Sequence, residues 1–210
     1  MEEDRRLGPG ALLPAPETRR IDRRERVPPG TSVETKERDK EISGLQSADP
    51  HKPLLLVDID GVISLFAGEQ LATKQGSFHS IDGMFHFLSS SAAAHLLVLA
   101  EQFELVWCSG WEEKANEHLP HLLGLPPSLP YLRFERAVGR ANAHWKLAAI
   151  DAFAGERALA WIDDALNPAC HEWAAARTAP TLLVETAPEH GLTEREAELL
   201  QRWADALATA

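Results

Sequence analysis

The feature of this 210-residue chain that most limits its fold is an alternation of short apolar runs with helix-like segments, which begins at residue 52. The first run, PLLLVDIDGV, is continuously apolar until it ends in acids, as expected of a parallel strand buried on both faces. Further strands are predicted at 105–108, 131–134, 158–162 and 181–185. Helices are predicted over 91–104, 112–123, 143–153 and 193–208. This order predicts an α/β fold, a three-layer Rossmann-like sandwich around a mostly parallel sheet.

Two local signals refine this pattern. Residues 77–88 contain FHSI, then Asp82-Gly83, then MFHF, and Asp-Gly between two short runs indicates a two-residue hairpin turn. Only about 28 residues separate the first strand from the next helix, so we expect a minimal hairpin flap and no full cap domain. The last helix opens with Thr193 and Glu196, the spacing of a capping box.

Residues 1–50 differ from the rest in composition. They hold several prolines, the charge runs RRIDRRER and ETKERDKE, and few apolar residues. Such a segment buries too little apolar surface to offset the entropy of folding, so we predict a disordered polar tail at 1–50 and one folded domain at 51–210. Acids interleave with the arginines at 19–26, which argues against a nucleic-acid-binding arm.

Charge and composition exclude several classes of protein. The net charge is −11, and residues 51–210 carry 11 Lys/Arg against 21 Asp/Glu, so we expect no extended nucleic-acid surface and no binding to anionic membranes. No run approaches the roughly 20 apolar residues of a transmembrane helix. The first 13 residues are charged, unlike a signal peptide. Cys108 and Cys170 lack metal-site spacing, which favours reduced, buried thiols in a cytoplasmic protein.

Three of the predicted strands end in chemically useful groups. Ligands of an open parallel sheet bind outside the carboxyl ends of its strands, so we expect these groups to converge. Asp58 and Asp60 are two residues apart and therefore leave the first strand on the same side. The second strand is followed by Ser109, Gly110 and Trp111, and the third by Asp163 and Asp164.

The residue types at these positions suit phosphoryl transfer. Asp58 is a candidate covalent nucleophile, and Asp60 is a candidate general acid to the leaving group and general base to water. Four carboxylates around one point would repel each other, and Mg²⁺ bound by Asp58, Asp60, Asp163 and Asp164 would relieve this repulsion. Lys146, on the helix before the third strand, would add positive charge for phosphate oxygens.

The predicted substrate contacts follow the second strand. Ser109, Gly110 and the backbone N–H groups before the next helix are positioned to hold another phosphate oxygen, together with Lys146. Trp111 has two interpretations: it stacks against a flat group at the rim of the site, or it caps the apolar core. In contrast, Trp107, Trp161 and Trp173 are predicted to pack in the protein interior.

Taken in their order along the chain, the motifs at the strand ends and Lys146 resemble the four motifs of the haloacid dehalogenase superfamily. By resemblance, VDIDGV carries the nucleophile Asp58 and the acid/base Asp60, and LVWCSGW carries the hydroxyl group of Ser109. Lys146 stands for the third motif and WIDD, with Asp163–Asp164, for the fourth, so the likeness covers residues 53–164. The resemblance implies a Mg²⁺-dependent phosphatase, a phosphoric monoester hydrolase that acts through an aspartyl-phosphate.

A narrower likeness extends toward the C-terminus. The segments ELVWCSGWEEKAN, LAWIDDAL and HGLTEREAELLQRWA are similar to the small haloacid dehalogenase domain of Swiss Army Knife RNA-repair proteins. This likeness covers roughly three quarters of the chain, which carries no visible ligase or kinase partner. It implies that the phosphorylated substrate is a nucleotide or the terminal phosphate of a nucleic acid.

Other interpretations stay open on the sequence alone. The rival enzyme class is a phosphotransferase or non-phosphate hydrolase on the same scaffold. A second rival is a catalytically silent domain that binds a metal, a nucleotide or a protein partner. Two sets of residues have both a functional and a solvated interpretation: the flap histidines His79 and His86, which could overhang the site, and the basic run Arg133, Arg136 and Arg140. No further ligand completes a zinc set with His118 and His121, which are therefore predicted to be ordinary helix histidines.

Overall fold

The computed structural model describes residues 52–66, 71, 73–134 and 142–209. This part of the chain forms an α/β fold with a four-stranded parallel sheet and five α-helices, compatible with a Rossmann-like fold. The strands are β1 (Leu54–Val57), β2 (Ser64–Leu65), β3 (Gly76–Ile81), β4 (Met84–Ser89), β5 (Glu104–Trp107), β6 (Leu159–Asp163) and β7 (Thr181–Glu185). The helices are α1 (Ser90–Leu99), α2 (Lys114–Leu123), α3 (Leu147–Ala154), α4 (Pro168–Ala176) and α5 (Glu194–Ala208).

The main sheet has the strand order β5-β1-β6-β7, and every pairing in it is parallel. β1 lies between β5 and β6, and its four side chains are fully buried. A strand with neighbours on both edges and apolar contacts on both faces needs a continuous apolar sequence, which LLLV supplies. The predicted mostly parallel sheet is confirmed.

Side chains of β1 alternate between two apolar clusters, because successive residues of a strand point to opposite faces of the sheet. Leu55 and Val57 belong to one cluster, which also holds buried residues of α1, α2 and α5. Leu54 and Leu56 belong to the other, together with Ile150 of α3 and residues of β5, β6 and α4. Both faces of β1 are therefore covered, and the polar groups lie at its end.

The predicted hairpin is confirmed. β3 and β4 pair antiparallel, with Ile81 opposite Met84 around the turn. Asp82 and Gly83 both have positive φ angles, 50° and 79°, as a primed two-residue turn requires. The short strand β2, which sequence patterns did not predict, pairs with β4 and completes a small three-stranded sheet.

Helix ends differ from the predicted boundaries where side chains or backbone strain intervene. α1 begins at Ser90 because the Ser89 hydroxyl accepts a hydrogen bond from the N–H of Ala92 at 3.1 Å. α2 begins at Lys114, two residues later than predicted, since Glu112 has a φ of +49° that no helix accommodates. The capping box of α5 is present as predicted, with the Thr193 N–H donating to Glu196.

Three other segments depart from the prediction. The predicted helix over 143–153 begins as a 3₁₀ turn, Ala143–Lys146, before α3. The predicted strand at 131–134 is reduced to one bridge between Tyr131 and Trp107. α4 was not predicted from the sequence; Asn167 caps it by accepting a hydrogen bond from Cys170 N–H at 3.2 Å.

Three predictions concern the chain as a whole. Within the described residues, no helix combines the length and apolarity needed to cross a bilayer. The predicted disordered tail at 1–50 lies outside the described residues. Cys108 and Cys170 are buried free thiols, as predicted.

Candidate functional site

All of the predicted site residues line one cavity of about 660 Å³. They reach it because β5, β1 and β6 are adjacent and parallel, so the carboxyl ends of these strands lie side by side. Residues of the hairpin, including Ile81, Met84 and His86, form part of the cavity wall. The predicted residues brought together are Asp58, Asp60, Ser109, Gly110, Trp111, Lys146, Asp163 and Asp164.

Lys146 is the buried cation at the centre of this site. Its Nζ lies 3.0 Å from Asp58 Oδ2 and 2.6 Å from Asp163 Oδ2, and its side chain is only 4% exposed. Burial lowers the pKa of Lys146, but the carboxylates of Asp58 and Asp163 outweigh burial and hold the pKa above the ordinary lysine value. Lys146 is therefore charged, and it ties the end of β1 to the end of β6.

The two aspartates after β6 have different surroundings. Asp163 is fully buried, and its oxygens accept hydrogen bonds from Lys146 Nζ and, at 2.9 Å, from the Ala165 N–H. Asp164 is half-buried and packs over Gly61, where a Cβ atom would meet Asp164 Oδ2 at 2.2 Å. Gly61 is thus required both for its φ of +71° and for the space that the Asp164 carboxylate fills.

Three carboxylates form a cluster that can hold a metal ion. Oxygen atoms of Asp58, Asp163 and Asp164 all lie within 4.8 Å of one another. Burial, with the charges of Asp58 and Asp163 adding to it, raises the pKa of Asp164 to about 6. Asp60, also predicted as a metal ligand, is not a member of this cluster of described residues.

The carboxylate of Asp60 faces Trp111 instead. Asp60 Oδ2 accepts a hydrogen bond from the indole N–H of Trp111 at 3.0 Å, and Asp60 Oδ1 lies 3.9 Å from His86 Nδ1. Burial raises the pKa of Asp60, the Trp111 hydrogen bond opposes this shift, and the charge of Asp58 adds to it. The candidate acid is therefore hydrogen-bonded outside the cluster of three carboxylates, and its pKa lies above the ordinary aspartate value.

The position of Trp111 is compatible with both of its interpretations, at the rim of the site and as a cap on the apolar core. The ring is half-buried, packs against the apolar core and also lines the cavity. His86 meets it edge-on, with ring centroids 4.8 Å apart. His86 thus borders the site as considered from the sequence, whereas His79 lies on β3 and contacts Ser77 at 2.7 Å. Trp107, Trp161 and Trp173 pack as predicted, since all three lie in or against the apolar core.

Several residues near the site were missed by sequence reasoning. Thr186 follows β7 and donates a hydrogen bond to the carbonyl of Gly61 at 2.9 Å, which anchors the turn after Asp60. Glu112 accepts a hydrogen bond from the Phe134 N–H at 3.1 Å and so holds the loop beside the cavity. Only their positions after strand ends signalled a role for these residues. Asp82 and Lys114 form an ion pair at the cavity rim.

Arg133, from the basic run, does not line the described cavity. Arg133 donates to the Tyr131 hydroxyl at 2.7 Å, and Arg136 and Arg140 lie outside the described residues. His118 and His121, on α2, do not line the cavity.

Replacing Asp164 with Asn is expected to flatten the pH dependence of the free energy of unfolding in metal-free protein. The folded-state pKa of about 6 lies above the ordinary value of 3.8, so folded protein binds more protons and loses stability as pH rises from about 4 to 6. Because Asp164 is half-exposed, solvent screening reduces the gain in the variant to about 1 kcal/mol at pH 7. Urea titrations in chelator at pH 4 to 7 measure this, and an unchanged slope would contradict it.

Comparison with protein-family models and with curated proteins finds no match to this chain. The function must therefore be inferred from the site itself. Its buried lysine, its three clustered carboxylates and the separate carboxyl group of Asp60 are the features that such an inference has to explain.

Proposed function

We propose that this protein is a Mg²⁺-dependent phosphomonoester hydrolase that acts through an aspartyl-phosphate on Asp58. The observation that carries the proposal is the contact of Lys146 Nζ with Asp58 at 3.0 Å and with Asp163 at 2.6 Å, beside a third carboxylate. As part of the same proposal, the protein is cytoplasmic and has the three-layer sandwich of the haloacid dehalogenase superfamily, which its motifs resemble.

The carboxylate cluster fits a hard divalent cation. Asp58, Asp163 and Asp164 offer oxygen ligands within 4.8 Å of one another, and burial, followed by the negative charges of Asp58 and Asp163, raises the pKa of Asp164. No other described side chain donates a hydrogen bond to Asp164, whereas both oxygens of Asp163 have donors, so we expect Asp164 to ligate the ion directly and Asp163 to orient Lys146. When bound, Mg²⁺ supplies positive charge to the carboxylates and to the phosphate oxygens.

In the first step, a carboxylate oxygen of Asp58 attacks phosphorus while the bond from phosphorus to the ester oxygen breaks. The electron pair of that bond goes to the leaving oxygen, which takes the proton of Asp60. Burial favours the protonated form of Asp60 before the step, as its raised pKa indicates. Lys146, charged and adjacent to Asp58, stabilises negative charge on the transferred phosphoryl group.

In the second step, Asp60 acts as a base. Its carboxylate takes a proton from water, the water oxygen attacks phosphorus, and the bond between phosphorus and the Asp58 oxygen breaks. Inorganic phosphate leaves and Asp58 is restored. Ser109 and Gly110 line the cavity after β5, where we propose that they hold a phosphate oxygen with Lys146.

We propose a nucleotide or the terminal phosphate of a nucleic acid as the substrate. Its support is the likeness to the RNA-repair domain, together with a flap that, in the described residues, is built on the β3–β4 hairpin beside the cavity. Such a site leaves room for a substrate larger than the phosphoryl group.

Phosphate release should occur with Mg²⁺ and stop with chelator. The assay uses an aryl phosphate, nucleotides, and RNA and DNA with 5′- or 3′-phosphates.

Mg²⁺ is also expected to stabilise the folded protein and so to raise its thermal midpoint, because it binds only folded protein. At a concentration 100 times its Kd, the gain in the free energy of unfolding is about 2.7 kcal/mol. Asp164→Asn should lose this stabilisation, and Asp205→Asn, an exposed matched control, should keep it. Stabilisation by Mg²⁺ and a phosphate mimic without any turnover would favour the silent binding domain.

A further inference from the structure

We propose that Trp111 and His86 are positioning residues for the general acid, and that they act by fixing the carboxyl group of Asp60. This inference rests on the proposed function. Trp111 comes from the turn after β5, His86 from β4 of the hairpin, and Asp60 from the end of β1. Three separate elements therefore meet at the one carboxyl group that must deliver a proton.

Trp111 restrains one oxygen of this group. Its indole N–H donates to Asp60 Oδ2 at 3.0 Å, across 51 residues of sequence. The ring is half-buried against the apolar core, so the donor itself is rigidly held. A hydrogen bond from a fixed donor limits rotation of the carboxyl group about its terminal bond, which is otherwise soft.

His86 restrains the other oxygen of the Asp60 carboxyl group, Oδ1. Its side chain is 8% exposed, and its Nδ1 lies 3.0 Å from the Ser64 hydroxyl, which fixes the plane of the imidazole ring. The ring packs edge-on against Trp111 and approaches Asp60 Oδ1 to 3.9 Å. Asp60 Oδ1 is itself buried and has no hydrogen-bond partner among the described residues, so packing by His86 limits its position.

The chemical consequence depends on the leaving group. An alkoxide is a poor leaving group and needs the Asp60 proton as the ester bond breaks, whereas p-nitrophenolate leaves without that proton. General-acid catalysis contributes about 10² to 10⁴ in rate, and part of this factor is lost when the acid is misplaced by about 1 Å. In this two-step mechanism, kcat/KM covers only the steps up to departure of the leaving group, so the later role of Asp60 as a base does not enter it. A positioning defect should therefore lower kcat/KM selectively for alkyl phosphates, while damage to the fold or to phosphate binding lowers it for both classes.

The test compares kcat/KM for β-glycerophosphate and for p-nitrophenyl phosphate in Trp111→Phe, which keeps an aromatic ring and removes the N–H donor. We expect kcat/KM for the alkyl substrate to fall about 10- to 100-fold and kcat/KM for the aryl substrate to fall less than about 3-fold. Trp173→Phe is the matched control, because its indole also donates to an aspartate, Asp151 at 3.0 Å, on an exposed surface. The ratio of the two kcat/KM values should not change in this control.

Further variants test whether the effect passes through Asp60. His86→Ala should shift the ratio in the same direction, and it serves as the second variant if Trp111→Phe does not fold. In an Asp60→Asn background, Trp111→Phe should not change the ratio further, since the acid is already absent. Equal losses on both substrates in both variants would overturn the positioning role. A wild-type protein that is inactive on every substrate would instead overturn the proposed function.

Discussion

Asp58→Asn is expected to reduce phosphate release by at least about a thousandfold, because the amide is a far weaker nucleophile than the carboxylate and forms no acyl phosphate. The protein should stay folded. The loss of one negative charge beside Asp163 and Asp164 relieves repulsion, which offsets the weaker contact with Lys146. Steady-state phosphate release and the thermal midpoint, measured side by side in Mg²⁺, separate these two effects.

The covalent step gives this prediction a second measurement. In wild-type protein, a rapid quench should trap phosphate on a tryptic peptide that contains Asp58, and the variant should trap none. Asp205→Asn is the control, since it makes the same chemical change at an exposed carboxylate that accepts a hydrogen bond from Gln102. If Asp58→Asn retained more than a tenth of wild-type activity, Asp58 would not be the nucleophile, and a direct attack by water would have to be considered.

Lys146→Met is expected to lower the free energy of unfolding by about 3 to 5 kcal/mol in metal-free protein, besides removing activity. Lys146 is 4% exposed and contacts two carboxylates, so its removal leaves Asp58 and Asp163 buried without their cation. The loss should shrink as pH falls from 8 to 5, because protonation of the buried carboxylates removes the charge that the lysine no longer balances. Urea unfolding across this range, in chelator, measures both effects.

A second substitution distinguishes lost charge balance from lost packing. Asp163→Asn in the Lys146→Met background removes one of the two uncompensated carboxylates, and should recover part of the stability. Lys114→Met is the control, since Lys114 is exposed and its ion pair with Asp82 is worth little. A loss of less than 1 kcal/mol in Lys146→Met, with no dependence on pH, would show that the buried ion pairs do not hold the strand ends together.

The parts of the fold that sequence patterns predicted are those with local causes. β1 is recognisable because a strand buried on both faces must be apolar at every position. The turn at Asp82-Gly83 is recognisable because both of its residues have positive φ angles, which Asp and Gly adopt more readily than most residues. The capping box at Thr193 is local in the same sense. Prediction was wrong about the start of α2, where the positive φ of Glu112 has no signature in the sequence.

The sequence by itself determined which groups reach the site, because motifs at the ends of adjacent parallel strands must meet at one edge of the sheet. Only the tertiary structure decided how those groups pair. Lys146 lies between Asp58 and Asp163, Asp164 packs over Gly61, and Asp60 turns away toward Trp111. Such contacts depend on rotamers and on distances between elements far apart in the chain, which neither periodicity nor spacing encodes.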